Sequence, residues 1–436
     1  MKSSPRVVTN TLAQVFGRAV VIAASLLTTA VLTRLIGVAG YGDYVFITAF
    51  VLIFVGLSDL GITTIAVREA AQKRGEEAVI FGNVLVLRFL ASFLLFFLLN
   101  LAILFLPQFQ NLRQPAFLAS FVVFFLVLRT TTQGVLQVSL RLDLASLLEV
   151  SAAFFFLIGL GGFLWLGKAI SLSWLMIFWL GGALLSGCLG LALSSRFVPL
   201  RFSLSRRISS RLVEEALPLG FYLLIYSVYD RGIDSFIIKT FSDSAAVGYY
   251  GLAYKVHSNL ILGAAFLMNS LFPLISSLRE GALSLKKTYE KAFTILLLSG
   301  LSFLVFGIIF APLIVKIIAG NSFSPSVVAL RILLLATVFS YLNHLTGYTM
   351  IAAGKQKKLL SFSLIAFGIN LVLNLLLIPR YSFLAAAAVT VLTELGIFLL
   401  TQNFLSRQLG LKYSLSTFVG NLRLLFLKKQ KYFQPF

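Results

Sequence analysis

The sequence predicts an all-α integral membrane protein of about 12 transmembrane helices in two groups of six, with both termini cytoplasmic. Of its 436 residues 59% are hydrophobic and only 12% charged, with a mean hydropathy of +0.97, whereas a soluble domain has roughly a quarter of its residues charged. Long stretches contain no Asp, Glu, Lys or Arg at all, namely 89–112, 150–167, 169–195, 258–278, 292–315, 332–354 and 359–379. Lys and Arg collect instead on alternate connections. A bilayer-crossing helix takes about 20 apolar residues, so the spans use nearly the whole length and exclude a sizeable soluble domain. No segment alternates over ten residues as a membrane β-barrel strand does.

The elements follow from the apolar runs and their charged ends, because one charge at the bilayer centre costs about 2.5–3.5 kcal/mol. Lys2 and Arg6 precede the first run as in a signal peptide. That run is longer than a signal sequence and has no small-residue cleavage site, so an uncleaved first span is expected near 12–36. The next five spans are expected near 43–66, 79–106, 115–138, 144–167 and 171–195, and the second six near 212–240, 246–277, 288–318, 325–353, 357–379 and 383–406. Lys and Arg near span ends face the cytoplasm; with the N-terminus inside, 25 of them fall on inner segments and six on outer ones. The chain thus reads as an N-terminal lobe, 1–195, a basic cytoplasmic linker with five arginines, 196–211, a C-terminal lobe, 212–406, and a basic interfacial tail, 407–436. Val38–Gly42 is similar to Ala246–Gly251, offset by about half the chain, which suggests a repeat between the lobes.

The net charge of +21 is accounted for by this topology and by attraction to anionic membrane lipids; nucleic acid is not required. The single cysteine, Cys188, can form no intrachain disulfide and no thiolate metal cluster. Gly354-Lys355 lacks the glycine loop of a nucleotide-binding P-loop. No metal-protease pattern occurs, and the outer connections are too short for an active-site domain. The chain is therefore expected to be no enzyme, to carry no cofactor, and to transport on a gradient or on substrate flux.

Ionisable residues at membrane depth mark function by default. Here they are Arg18, Asp59, Arg88, Asp230, Arg231, Asp234, Lys255, His257, Arg331, His344 and Glu394. Asn10, Gln14, Arg18 and Ser25 form one polar helical stripe suited to a cavity wall. Tyr222, Tyr226, Asp230 and Asp234 share another face, where phenol rings suit sugar stacking; the alternative is that Asp230, Arg231 and Asp234 pair locally and lock the helix. For Arg18 the alternative is snorkelling to the cytoplasmic interface. Asp59, Arg88, Lys255, Arg331 and Glu394 lie near span ends, where snorkelling or pairing between helices competes with substrate contact. His257 and His344 are too far apart in sequence to argue for a metal site.

Leu35–Tyr44, Leu57–Ile62 and Arg68-Glu69 are similar to the opening of the Wzx-type oligosaccharide flippases. Leu217–Gly220 with Asp230-Arg231, Val247–Tyr250, Phe272-Pro273 and Gly354–Gln356 continue the resemblance, and Asn370–Tyr381 with Ala385–Ala388 and Glu394 is its most specific part. Ser382–Ala385 departs from it, standing where that family often has glycines. The resemblance implies the fold of the multidrug/oligosaccharidyl-lipid/polysaccharide exporter superfamily: two six-helix lobes around a cationic cavity that opens to each side in turn. It implies a polyprenyl-pyrophosphate-linked glycan as substrate, and leaves a glycan polymerase or glycosyltransferases as candidate partners.

A pyrophosphate crossing the bilayer must exchange water for fixed cations, and arginine offers it a bidentate fork. Arg18 is the first expected ligand, beside Gln14, with Arg88, Arg231, Lys255 and Arg331 behind it and Tyr222 and Tyr226 for the sugar. Asp230, Asp234, Asp59 and Glu394 are expected in coupling or gating. The alternatives are a cation-coupled drug antiporter of the same fold, in which carboxylates would dominate the cavity, and a lipid II-type flippase, whose branch usually carries two more helices.

Overall fold

Two of the predicted spans at each end of the chain are continuous in sequence with their neighbours, and in the computed structural model they form single long helices broken by one residue each. The structure describes residues 5–73, 75–167, 169–199, 202–231, 233–277 and 283–412, with side chains except those of 5–15, 218–219, 221–231 and 273–274. Among the described residues there are thirteen α-helices, two 3-10 turns and no strand. The tail expected beyond Lys412 lies outside them.

Helix α1 runs Pro5–Asp59 and breaks at Gly37, where φ is 65° and ψ −171°. A straight helix of that length would be about 80 Å long, against a hydrocarbon core of about 30 Å, so two crossings need a break, and only glycine takes this left-handed φ without strain. A second break follows at once: Leu60 and Gly61, at φ 39° and 77°, separate α1 from α2, Ile62–Gln72. The predicted span 43–66 is thus interrupted inside its last third.

The chain continues with α3 (Glu77–Phe105), the pair α4 (Arg113–Ser120) and α5 (Val122–Val138), α6 (Leu142–Trp165) and α7 (Leu172–Ser194). After the linker come α8 (Arg206–Arg231), α9 (Ile233–Phe241), α10 (Ser244–Ser277), α11 (Leu283–Ala319), α12 (Ser326–Ala352) and α13 (Gln356–Gln408). Eight helical stretches among the described residues are long and apolar enough to cross a membrane, and two of them, 57 and 53 residues long, exceed the length of a single crossing. The chain divides into two compact units, 1–248 and 249–436.

In the first unit small residues set the packing distances. Gly182, Gly187 and Gly190 of α7 lie against the Ala152 carbonyl, the Phe125 carbonyl and Thr132, so that α7 seats closely on α5 and α6. This is the small-residue packing expected where lipid removes the hydrophobic drive between helices. The segments at 38–42 and 246–248, similar in sequence, touch each other: a Cβ on Gly42 would strike the Ser244 carbonyl and the Gly248 amide, and one on Gly248 would strike the Val38 carbonyl. Ile62, Ile65, Phe81, Val84, Val135 and Leu212 form an apolar core beneath α2. Above it Arg68 pairs with Glu215, and Glu69 with both Lys73 and Arg211. The fully buried Asn83 holds the basic linker: its Oδ1 accepts from the Ser205 amide at 2.6 Å and from Ser209 Oγ at 3.2 Å.

In the second unit α12 is the most enclosed helix, packed between α11 and α13. Gly300 and Gly307 of α11 lie against Val338 and Leu334. Tyr341 donates to the Leu260 carbonyl at 2.7 Å, which fastens α10 to the same helix. The outward faces of α11 and α13 are apolar and exposed, with Phe306, Ile309, Leu313, Ile317, Ile369 and Leu376 among them, as contact with lipid requires.

Helix α13 contains Pro379 and breaks at Ser382, at φ 51° and ψ −140°. This is the position where the flippase resemblance expects glycine, and the structure uses a glycine-like conformation there without one. Such a conformation costs a non-glycine residue about 1–3 kcal/mol. Ser382→Gly is therefore expected to raise stability by about 1 kcal/mol, read as a higher melting temperature of the detergent-purified protein; an unchanged or lower value would mean that the serine side chain offsets the strain.

Candidate functional site

Arg18, on the polar stripe of α1, is held from α6. Its Nη1 lies 3.0 Å from Glu149 Oε2, with the two side chains 42% and 31% exposed. The other oxygen of Glu149 accepts from Gln133 Nε2 of α5 at 3.2 Å, and Gln133 also donates to the Ala145 carbonyl. Gly17, beside Arg18, brings α1 close to Ser146 of α6. The guanidinium is thus oriented by one carboxylate and keeps an accessible side.

Arg88 is built differently. On α3 it is 1% exposed, and its Nη1 donates to Thr63 Oγ1 at 2.8 Å and to Thr131 Oγ1 at 2.9 Å. Its Nε lies 3.4 Å from Asp59 Oδ1, an ion pair without hydrogen-bond alignment. Asp59 in turn accepts from Thr63 Oγ1 at 2.5 Å, across the break at Leu60–Gly61. That break has tight surroundings, because a Cβ on Gly220 of α8 would strike the Leu60 carbonyl, and one on Gly134 of α5 would strike Thr63. Two separate assemblies thus meet α5 on different sides: Thr131 faces Arg88, and Gln133, two residues on and so on another face, reaches Glu149.

In the second unit Asn343 Nδ2 of α12 donates at 2.8 Å to both the carbonyl and Oε2 of Glu394 on α13. Asn370 donates to Thr393 Oγ1 at 3.0 Å and accepts from Asn374 at 3.0 Å, so the most specific stretch of the resemblance forms a buried polar ladder within α13. His257 is buried, with Nδ1 2.8 Å from Thr337 Oγ1. His344 reaches the Ser340 carbonyl of its own helix. No group of side chains able to hold a metal ion occurs among the described residues.

Of the residues expected from sequence, Arg18, Arg88 and Asp59 have the partners given above. Asp234 is buried at the start of α9 and Lys255 is half-buried on α10. Arg331 is exposed, with Nε 3.2 Å from the Ile308 carbonyl of α11. Gln14, Tyr222, Tyr226, Asp230 and Arg231 lie on described helices, but their side chains are outside the described residues. Glu149, Gln133, Thr63 and Thr131 were missed. Glu149 had a signal, as a carboxylate inside the predicted span 144–167; the threonines and the glutamine had none, since uncharged polar residues recur along most of the spans.

A family model described as "Polysaccharide biosynthesis protein" matches residues 7–279. No curated protein matches the sequence significantly. Among solved structures, the lipid II flippase MurJ in an inward closed conformation is 14% identical at a TM-score of 0.78, covering 98% of this chain and 94% of that one. An inward-facing multidrug resistance MATE family transporter of the MOP superfamily is 15% identical at a TM-score of 0.68, over 93% and 96% of the two chains. The MATE multidrug transporter DinF-BH in complex with R6G is 17% identical at 0.68, again over 93% and 96%. At these identities the likeness is one of fold.

Proposed function

The chain belongs to the polysaccharide biosynthesis protein family, and from that premise we propose that it is a flippase that turns a polyprenyl-pyrophosphate-linked oligosaccharide from the cytoplasmic to the outer leaflet of the cell membrane by alternating access. It crosses 12 times, in lobes 1–195 and 212–406 joined by the basic linker 196–211, with both termini and the tail 407–436 in the cytoplasm.

The observation that carries the proposal is the Arg18–Glu149–Gln133 assembly. A flippase cation must be oriented at membrane depth yet free to take a new anion, and Arg18 has one carboxylate partner with an accessible side. Glu149 takes one corner of the fork, Nη1 to Oε2, so the remaining donors of Arg18 can engage phosphate oxygens before the contact with Glu149 is released. Arg88 is enclosed by Thr63, Thr131 and Asp59 and serves to hold α1, α2, α3 and α5 together. Gln14, Tyr222, Tyr226, Arg231, Lys255 and Arg331 remain the further substrate contacts, and Asp230, Asp234 and Glu394 the coupling or gating carboxylates. Asp59 and Glu149 are each paired with an arginine, which makes these two carboxylates poor carriers of the coupling cation that a drug antiporter needs.

The test is flipping by the purified protein in liposomes, read as the protection of a lipid-linked oligosaccharide from a glycosidase confined to one side. Transbilayer movement above protein-free liposomes is expected; none would overturn the proposal. Topology is tested with single cysteines in a Cys188→Ala background. Gln114→Cys should react with an impermeant thiol reagent in intact cells and Leu204→Cys should not, as the bias of 25 to six basic residues requires. The reverse pattern would invert the orientation.

A further inference from the structure

At the end of the first unit where α3 turns into α4, the connection 106–112 faces the junction of α9 and α10 across a cavity of about 370 Å³. Polar side chains form the larger part of its wall, with Asp43, Gln108, Gln110, Asn111, Lys239 and Thr240, beside the apolar Pro107 and Leu112. This volume falls within the range of small-ligand sites, about 300–1,000 Å³. None of these residues was a candidate site residue from the sequence, and none belongs to the Arg18 assembly.

The charges in the cavity cancel. Lys239 Nζ donates to Asp43 Oδ1 at 2.7 Å, Ser244 Oγ donates to the same oxygen at 2.7 Å, and Lys239 also donates to Ser244. With its one cation already paired, the cavity has no surplus positive charge for a phosphate. What it offers is a ring of neutral donors and acceptors. Gln108 Nε2 donates to Thr240 Oγ1 at 3.0 Å, while its Oε1 is buried and has no hydrogen-bond partner. The amides of Gln110 and Asn111 make no side-chain hydrogen bond among the described residues and are exposed. Phe46, Phe50, Phe109 and Phe236 pack with ring centroids 4.8–6.2 Å apart, and Lys239 Nζ lies 5.9 Å from the Phe46 ring.

We infer that this cavity is a saccharide subsite, which takes the hydroxyl-rich head of the carried glycan at the outer mouth of the path. A sugar hydroxyl both donates and accepts, so side-chain amides and hydroxyls around a neutral cavity match it where they would not match an anion. By the orientation proposed above, the connection 106–112 lies outside, about a whole bilayer from the cytoplasmic linker. A glycan held there is one whose pyrophosphate is still within the membrane, so the subsite acts on the length of the glycan rather than on its anchor.

The inference rests on the flippase reading, and its test separates the two. Liposomes holding the protein are given polyprenyl-pyrophosphate carrying either one sugar or a tetrasaccharide, and the ratio of the two flipping rates is measured. The double variant Gln110→Ala/Asn111→Ala, which removes no hydrogen bond within the described protein, should lower the tetrasaccharide-to-monosaccharide ratio about 5-fold or more, as the loss of one or two neutral hydrogen bonds implies. Gln108→Ala should lower it in the same direction. An unchanged ratio, including one in which both rates fall together, would overturn the subsite while leaving the flippase reading intact. If the unvaried protein moves neither lipid, the flippase reading fails and the subsite falls with it.

Discussion

Arg88→Ala is expected to remove most of the folded protein from the membrane. The side chain is 1% exposed and joins Thr63, Thr131 and Asp59, so its loss opens a cavity, strips Thr63 and Thr131 of their donor, and leaves the partly buried Asp59 carboxylate without its cation. Breaking a buried pair in this way costs about 3–5 kcal/mol, a large share of the roughly 5–15 kcal/mol that holds a typical domain. The measurement is membrane abundance and the melting temperature in detergent. Asp59→Asn/Arg88→Met, which removes both charges and keeps most of the volume, should recover much of the loss, because hydrophobic replacement of a whole buried pair is often neutral. If Arg88→Ala folds normally yet stops flipping, Arg88 belongs to the substrate path after all.

Arg18→Ala is expected to give the opposite pattern: normal abundance with flipping reduced about 10- to 100-fold. The pair with Glu149 is partly exposed on both sides, and such pairs contribute about 0–1 kcal/mol to stability. A charge-assisted hydrogen bond to a phosphate is worth about 1.5–3 kcal/mol, and only the transport cycle makes that bond. Arg18→Lys should recover part of the activity, since it keeps the charge and loses the fork. Glu149→Gln should keep hydrogen bonds to Arg18 and Gln133 while removing the competing anion, so its apparent affinity for the lipid-linked glycan should rise. Full activity of Arg18→Ala would remove it from the site.

The opposite expectations for two arginines, both at membrane depth and both close to a carboxylate, mark the boundary of what the sequence can say. Arg18 and Arg88 have the same chemistry and similar apolar flanks. Their difference comes from Thr63 and Thr131, which close around Arg88 from α2 and α5, and from Glu149, which leaves a side of Arg18 accessible. These partners are 25 to 131 residues away along the chain, and nothing in a local pattern pairs them. The linker shows the same limit: five arginines set it apart as a basic connection, but the buried Asn83 that fastens it is a single polar residue inside an apolar run.

By itself the sequence determined the helical membrane class, the positions of most apolar helices and the family. It could do so because lipid offers the backbone no hydrogen-bond partner, so a crossing must be a continuous helix of fixed length and every charge within it stands out. The breaks at Gly37 and Ser382 fall at predicted span ends for the same reason. Only the tertiary structure decided the break at Leu60–Gly61, the partner of each arginine and the polar cavity beside Asn111. Those depend on which side chains arrive together when helices pack, and in this chain the arrivals are set by glycines at 134, 182, 187, 190 and 220, whose missing Cβ lets one backbone approach another.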